Sequence, residues 1–261
     1  MQQIIQKIAN SLGYRISKIR QPIDYPFIDV LDLVLLHVMK QEPDIFFIQI
    51  GANDGTSADP VTKLIKKYNL RGLLVEPQPK MFKKLVKNYQ DQSQLIFENS
   101  AIWNQDGTVT FYAVREDEPG LPIWCYQIAN LDRDKVLAML SADQQNKQNI
   151  SQSLESLIEE IPVPALTFKT LLTKHNIQKL DLLVIDTIGY DFEIIKMIPF
   201  DSIKPPIIHF EHALLPLDER VACFKYLAGL GYSLSQAGVD TIAYLHAQTK
   251  PGLFLIWFRR D

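Results

Sequence analysis

Apolar and polar residues alternate along the chain with two different periods, and these patterns predict strands and helices in turn from residue 45 onward. Short apolar runs rich in β-branched and aromatic residues are typical of buried strands, whereas apolar residues at helical spacing indicate the helices between them. This order is typical of an α/β fold, in which helices cover both faces of a mostly parallel sheet. The predicted strands lie at 45–50, 72–76, 94–97, 180–186 and 205–212, and the predicted helices at 60–69, 79–90, 167–175, 190–198 and 218–231.

Further elements are predicted at both ends of this alternation. Residues 1–42 contain two apolar-periodic segments, which predict a helical N-terminal extension ahead of a main domain at 43–261. Near the C-terminus, apolar runs at 239–245 and 252–258 predict an antiparallel hairpin. The hairpin would complete a sheet of about seven strands.

The alternation stops in the middle of the chain. GTVTFYAV (107–114) follows an Asp-Gly turn and predicts a hairpin or an edge strand. Residues 115–160 are polar apart from an apolar island at 121–126, and residues 143–160 are rich in Gln, Ser, Asn and Glu. Because such a segment has little to bury, we predict that 115–160 forms an inserted lid.

Composition and charge argue against several classes of function. The chain has 261 residues, 47% of them hydrophobic and 22% charged, and a formal net charge of -3. This charge gives no field that would gather nucleic acid, and no apolar run is long enough to cross a bilayer, so we expect neither a nucleic-acid partner nor membrane insertion. Cys125 and Cys223 are far apart without a CxxC motif, which indicates no disulfide framework and no zinc cluster and fits the cytoplasm.

The glycine turn after the first predicted strand is the best candidate for a ligand-binding loop. Ligands of open α/β sheets bind at the carboxyl ends of strands, where this turn reads GANDG (51–55). A dinucleotide fingerprint needs a third glycine, and Asp54 would repel a pyrophosphate, so an NAD-dependent oxidoreductase is disfavoured. The sulfonium and ammonium of S-adenosylmethionine would instead be attracted to Asp54 or Asp186. Glu76, at the end of the next strand, can accept hydrogen bonds from both hydroxyls of a ribose.

Six sequence blocks in this order resemble the FkbM family of S-adenosylmethionine-dependent methyltransferases. The resemblance implies a class I methyltransferase fold, which is Rossmann-like, and S-adenosylmethionine as cofactor with S-adenosylhomocysteine as product. It also implies O-methylation of a hydroxyl on a natural product, a sugar or a glycolipid. The blocks are IGANDG (50–55), LLVEPQPKMFKKL (73–85), FENSAI (97–102), PALTFKTLL (164–172), IDTIGYDFEIIKMI (185–198) and IIHFEH (207–212).

The resemblance also assigns parts of the cofactor to particular residues. The glycine turn would take the methionine end of the cofactor, Glu76 the ribose, and the residues after the third strand the adenine. Gln49 and Asp186, at two further strand ends, are also expected to bind the cofactor. The expected cofactor-binding residues are Gln49, Gly51, Asn53, Asp54, Gly55, Glu76, Ser100, Ala101 and Asp186.

Ile188 departs from the family pattern. The family usually has Asp-x-Glu-Gly followed by Tyr or Phe, whereas Ile188 stands here where the acid is expected. If that acid polarises or anchors the acceptor, three interpretations are open: an altered substrate, an impaired enzyme that acts as a binding or docking module, or an engineered substitution. We therefore count Ile188 as a candidate substrate residue, together with Trp124 in the predicted lid.

Transfer of a methyl group to a hydroxyl depends mostly on positioning and on a base close to the acceptor. Asp186, Glu211 and His212 lie at strand ends and are the candidate catalytic residues, although a buried His and Glu can also be a structural pair. The run from His209 to His212 also suggests a metal site, and a divalent ion shared by Asp186 and Glu211 would be its most plausible form. Two histidines three apart on a strand point to opposite faces, so we expect no metal.

Overall fold

A computed structural model of the protein describes residues 29–57, 59–115, 121–142 and 153–245. These residues form a large sheet, a smaller sheet and seven α-helices. In chain order the elements are α1 (Val30–Met39), β1 (Phe46–Ile50), α2 (Thr62–Tyr68), β2 (Arg71–Val75), α3 (Pro79–Asn88), β3 (Leu95–Glu98), β4 (Ala101–Ile102), β5 (Gly107–Val114), β6 (Ala129–Asn130), α4 (Arg133–Ala142), β7 (Ile158–Leu166), α5 (Phe168–Lys174), β8 (Leu182–Ile185), α6 (Asp191–Met197), β9 (Ile207–Glu211), α7 (Leu217–Gly229), β10 (Tyr232–Ala237) and β11 (Asp240–Leu245).

The main sheet has seven strands in the order β10-β11-β9-β8-β1-β2-β3. Strands β9, β8, β1, β2 and β3 run parallel to one another. β11 is antiparallel to both β9 and β10. From β1 the chain first builds β2 and β3 on one side and later β8 on the other. The order therefore switches between β1 and β8, which opens a crevice at their carboxyl ends. The predicted α/β fold with a mostly parallel, seven-stranded sheet is confirmed.

The antiparallel hairpin at the sheet edge differs from the prediction. β11 pairs with β10 on one side and with β9 on the other, so 239–245 has no free edge for 252–258. The latter segment lies outside the described residues. The sequence YSLSQA of β10 is polar and partly exposed, which is why no strand was predicted at this edge of the sheet.

The smaller sheet has the strand order β4-β7-β5-β6 and occupies part of the region predicted to be a lid. GTVTFYAV forms β5 as expected, and it pairs antiparallel with β7 along its whole length. β7 was not predicted because Pro162 and Pro164 interrupt its apolar pattern. β4 pairs with β7 only at Ala165 and Leu166, so the prolines lie where one edge of β7 has no partner among the described strands.

Apolar side chains cover both faces of the main sheet. Helices α5, α6 and α7 pack on one face, and α1 and α2 pack on the other together with part of α3. α1 is the one helix of the predicted N-terminal extension that the structure describes, since residues 1–28 lie outside the described residues. Asp29 caps α1 by accepting hydrogen bonds from Leu31 N and Asp32 N. Within the described part of the chain, no helix has the length and apolarity needed to cross a membrane.

Candidate functional site

A cavity of about 270 Å³ lies at the carboxyl ends of β1, β2 and β8 and is roofed by residues of the smaller sheet. Most of the residues predicted from the sequence line it. Those in the wall are Gln49, Gly51, Asn53, Glu76, Ser100, Ala101, Trp124, Asp186 and Ile188. Four predicted residues lie outside the wall: Asp54, Gly55, Glu211 and His212.

Gly51 brings the two strand ends of the crevice into contact. Its φ is 83°, a left-handed conformation that glycine adopts without strain. A Cβ atom at this position would lie only 1.9 Å from the backbone oxygen of Asp186. The close approach of the loops after β1 and β8 therefore depends on the absence of a side chain at residue 51.

Glu76 is a buried carboxylate with two fixed backbone partners. Asn53 N donates to its Oε2 and Gln78 N donates to its Oε1, both at 2.8 Å. Burial raises the pKa of Glu76 to about 7, although these two hydrogen bonds act to lower it. Each carboxylate oxygen has a second lone pair, so Glu76 can also accept hydrogen bonds from two hydroxyls of a ligand.

Gln49 and Asp59 form a second polar pair in the wall. Gln49 Nε2 donates to Asp59 Oδ2 at 3.0 Å, and Asp59 Oδ1 accepts from Val61 N and Thr62 N at the start of α2. Asp59 thus holds the turn that leads into α2, which begins at Thr62 with Val61 as its N-cap residue, two residues later than the predicted start. Gln49 Oε1 is buried and has no hydrogen-bond partner among the described residues.

Asp54 and Gly55 shape the glycine turn instead of lining the cavity. The Asp54 carboxylate accepts hydrogen bonds from backbone and side-chain groups of Thr56 and Ser57. Burial alone would raise the pKa of Asp54, but these bonds leave it below its usual value. A Cβ at Gly55 would lie 2.4 Å from the ring of Tyr89, so this glycine makes room for α3.

Acidic side chains collect on one face of the sheet beside the cavity. Val184 of β8 pairs with His209 of β9. Side chains two residues apart on a strand point to the same face, so Asp186 and Glu211 lie on the face of Val184 and His209. Asp240 of β11 pairs with Glu211 and joins them. Loss of contact with bulk water, followed by mutual repulsion with the neighbouring carboxylates, raises the pKa of Asp186 to about 6 and that of Glu211 to about 7. Asp186 remains accessible to solvent through the cavity.

The two strand-end histidines lie on opposite faces of β9. His212 is buried next to Phe224 of α7, and its Nδ1 is hydrogen-bonded to Thr241 Oγ1 at 3.0 Å. His209 is buried on the other face, with Nε2 3.9 Å from Asp240 Oδ2. Among the residues that the structure describes, no group of three or more His, Cys, Asp and Glu side chains is arranged to hold a metal ion.

Gln127 and Asn130 connect the smaller sheet to the cavity and were not predicted from the sequence. The backbone oxygen of Gln127 accepts from Asn53 Nδ2 at 3.3 Å and from Gln78 Nε2 at 3.1 Å. Asn130 Nδ2 donates to the backbone oxygen of Ile188 at 2.9 Å. These amides lie in the predicted lid without any periodic pattern, so no signal in the sequence indicates their contacts.

Ile188 has an unusual backbone conformation. Its φ is 54°, which is strained for a β-branched residue. Its side chain is half-buried and packs against an apolar cluster of the smaller sheet that includes Val114, Ile128 and Val136. At the position where the resemblance leads one to expect an acid, this chain therefore places an apolar group in the cavity wall.

The family model described as Methyltransferase FkbM domain matches residues 49–246. A comparison with curated protein sequences found no match. Among solved structures, the chain is similar to an RNA methyltransferase from Salinibacter ruber in complex with S-adenosyl-L-homocysteine, with 11% identity, 87% of this chain and 97% of that chain covered, and a TM-score of 0.37. It is also similar to the human methyltransferase 10 domain containing protein, with 12% identity, 94% of each chain covered and a TM-score of 0.40. A third similar structure is the fibrillarin pre-rRNA processing protein of Methanococcus jannaschii, with 12% identity, 87% and 84% covered and a TM-score of 0.40.

Proposed function

We propose an O-methyltransferase acting on a small natural product or saccharide, starting from the premise that this chain belongs to the FkbM methyltransferase family, whose model matches residues 49–246. The fold is that of a class I methyltransferase, and S-adenosylmethionine is the cofactor. The observation that carries the proposal is the meeting of Gly51, Glu76 and Asp186 in one cavity. The hydroxyl as acceptor and the roles of individual residues are the proposed parts.

The cavity residues fit the adenosyl cofactor. Gly51 lets the loop after β1 lie directly against the backbone of Asp186, and Glu76 retains lone pairs for the two ribose hydroxyls. Gln49 Oε1 is a buried acceptor that no described residue pairs with, and an ammonium N–H would satisfy it. Ser100 and Ala101 line the same cavity and take the adenine in this proposal.

The cofactor supplies an electrophilic methyl group on its sulfonium. The residues of the chain hold the acceptor hydroxyl in line with that methyl group and take up its proton. Asp186 is the base in this proposal because it lines the cavity and because its pKa of about 6 leaves it mostly ionised at neutral pH. Burial, with repulsion from Asp240 and Asp59, keeps Asp186 basic. Glu211 lies outside the cavity wall and takes no proton in this proposal, while His212 holds β9 and β11 together under α7.

The direct test of this function is transfer of a labelled methyl group from S-adenosylmethionine to a panel of hydroxylated metabolites and saccharides. We expect product formation with at least one acceptor, together with binding of S-adenosylhomocysteine by calorimetry. Cofactor binding without any methylated product across the panel would contradict the O-methyltransferase and leave a cofactor-binding protein.

Replacing Glu76 with alanine should weaken binding of S-adenosylhomocysteine by about 1–3 kcal/mol, because ribose hydroxyls and two backbone N–H groups would lose their acceptor. The measurement is calorimetric titration of the Glu76→Ala variant. Glu160→Ala is the matched control, since Glu160 is an exposed residue of β7 outside the cavity wall. Equal affinities for both variants would rule out Glu76 as the ribose acceptor.

A binding or docking module is the second candidate function, and Ile188 is the observation that favours it. If the O-methyltransferase proposal holds, the protein methylates an acceptor with Ile188 in place. Ile188→Glu then lowers the rate of methylation, because a charge would enter the apolar cluster of the smaller sheet. The assay compares both proteins on the same acceptor panel. Ile188→Leu is the control, since it keeps an apolar side chain and removes the β-branch. Turnover by the Glu variant alone would support the docking module.

A further inference from the structure

The outer surfaces of α2 and α3 are strongly basic, although the chain as a whole has a formal net charge of -3. Residues 60–90 contain eight Lys and Arg residues and one acid, Glu76, which is buried in the cavity wall. The rest of the chain has 19 basic and 29 acidic residues, so the weak net charge averages over a basic region and an acidic remainder. We use the name lysine face for the exposed lysines of these two helices: Lys63, Lys66, Lys67, Lys80, Lys83, Lys84 and Lys87.

The two helices of the lysine face are neighbours on the same side of the main sheet. Both pack apolar residues into the cluster that covers this side, and their lysines are exposed on the outside. The backbone oxygen of Gly55 accepts hydrogen bonds from Thr62 Oγ1, at the start of α2, and from Tyr89 OH, just past the end of α3, at 2.6 and 2.7 Å. The start of α2 therefore lies against the end of α3, and their lysines belong to one surface.

Only part of the lysine face is neutralised by described acids. Lys67 is paired with Asp32 of α1 at 2.6 Å, and Lys80 with Glu159 of β7 at 2.9 Å. Among the residues that the structure describes, no acidic side chain forms an ion pair with four other members of the face, Lys63, Lys66, Lys83 and Lys87. Because these four charges are exposed, a partner with many negative charges can reach all of them.

Two exposed apolar side chains beside the lysine face provide a second, independent observation. Ile123 and Trp124 begin a 3-10 helix that ends at Gln127, and they are 79% and 39% exposed. Of the large apolar side chains that the structure describes, Ile123 is the most exposed. This short helix is fixed to α3, because the backbone oxygen of Gln127 accepts from Nε2 of Gln78, the N-cap residue of α3, at 3.1 Å. Since Trp124 also lines the cavity, an apolar tip lies between the cavity mouth and the lysine face.

We propose that the protein binds to the surface of an anionic lipid bilayer through the lysine face, with Ile123 and Trp124 entering the headgroup layer. Each lysine within a Debye length of the negative surface adds to the attraction. An apolar side chain gains by leaving water at this interface, and Trp is typical of that depth. The protein lies on the bilayer and does not span it, and the cavity mouth is close to the lipid. This inference goes beyond the proposed function and does not depend on it, since binding requires no methyl transfer.

Nucleic acid is the competing polyanion, and the composition of the surface favours lipid. Proteins that bind nucleic acid commonly use Arg for paired contacts with phosphates and exposed aromatic rings for stacking on bases. α2 and α3 contain no arginine, and their aromatic residues, Tyr68 and Phe82, are half-buried against the core. Lysine is a point charge on a flexible stem, which suits a fluid surface whose charges have no fixed positions. An exposed apolar residue such as Ile123 gains nothing from phosphates, whereas it is expected at a lipid interface.

The test is co-sedimentation of the unmodified protein with vesicles of phosphatidylcholine alone and with vesicles that also contain about 30% phosphatidylglycerol. In about 0.1 M NaCl we expect binding to the anionic vesicles to be at least tenfold tighter, and about 0.5 M NaCl should remove most of this difference because the Debye length falls. Equal binding to both vesicles, or no binding to either, would overturn the proposal. Release of the protein from anionic vesicles by single-stranded RNA at equal phosphate concentration would assign the lysine face to nucleic acid and overturn it as well.

Paired lysine variants locate the binding surface. Lys83→Gln combined with Lys87→Gln on α3 should weaken binding to the anionic vesicles by about 10–30-fold, because each lysine near the surface contributes about fivefold. Lys169→Gln combined with Lys225→Gln is the matched control. It makes the same change in net charge at exposed positions of α5 and α7, which cover the opposite side of the main sheet. Equal losses for the two pairs would show that binding follows net charge and would overturn the assignment to the lysine face.

The apolar tip is tested by Ile123→Ser. This variant should bind the anionic vesicles several-fold more weakly and keep the salt dependence of the unmodified protein, because it removes apolar contact and no charge. Leu217→Ser is the matched control, since Leu217 is 69% exposed on α7, on the other side of the sheet. A loss for Leu217→Ser as large as that for Ile123→Ser would contradict the placement of Ile123 in the headgroup layer.

Discussion

Replacing Gly51 with alanine should abolish cofactor binding and strongly destabilise the protein. The left-handed backbone at φ 83° costs about 1–2 kcal/mol for a residue with a side chain. The new Cβ would also lie 1.9 Å from the backbone oxygen of Asp186, and relief of such overpacking costs about 1–3 kcal/mol more. Thermal unfolding should therefore shift down on the order of 10 °C for a chain of this length. Binding of S-adenosylhomocysteine should be lost, because the loops after β1 and β8 must move apart.

Gly238→Ala separates backbone strain from the steric clash. Gly238 also has a left-handed backbone, with φ 65°, but a Cβ there would meet nothing within 4 Å. Its alanine variant should lose only the strain contribution, about 1–2 kcal/mol, and bind cofactor normally. Similar unfolding temperatures and similar cofactor affinities for the two variants would show that the contact between Gly51 and Asp186 is unimportant.

The strands of the main sheet could be predicted because buried parallel strands leave a strong local pattern. Leu182–Ile185 is a continuous apolar run of strand length, and Phe46–Ile50 is an apolar run interrupted only by Gln49. A glycine follows the first run at once and acidic residues flank the second, which marks where each strand ends. Ile158–Leu166 lacks this pattern because of its two prolines, and Tyr232–Ala237 because its polar residues lie at a sheet edge. The smaller sheet and the true hairpin therefore emerge only from strand pairing.

The candidate site was predictable where a simple rule of topology applies. Residues that end parallel strands meet at one edge of the sheet, which brings Gly51, Glu76 and Asp186 into the cavity. The side of the sheet that opens to the cavity cannot be derived from alternation alone, so Glu211 and His212 were equivalent candidates on opposite faces. Contacts such as that of Gln127 with the glycine turn depend on docking of the smaller sheet, for which no local pattern exists.

Replacing Asp186 with asparagine should lower kcat by about 10²–10⁴-fold, the usual contribution of a general base. Asparagine has nearly the same shape, so the contact with Gly51, which uses the backbone oxygen, is kept. In the unmodified protein, kcat should rise with pH through about 6, because the pKa of Asp186 is about 6 and only the ionised carboxylate accepts a proton. The variant should lose this rise, and a pH profile of kcat with the best acceptor would measure both effects.

Glu211→Gln is the informative comparison for Asp186→Asn. It leaves the base in place, and because burial, Asp240 and Asp59 are what raise the pKa of Asp186, the rise in kcat should stay near pH 6. The expected loss of kcat is smaller, about tenfold or less, because the base itself is retained. If Asp186→Asn retained kcat within a few-fold and Glu211→Gln lost 10²-fold or more, the proton would go to Glu211 instead. The two pH profiles thus distinguish which of the two carboxylates takes the proton.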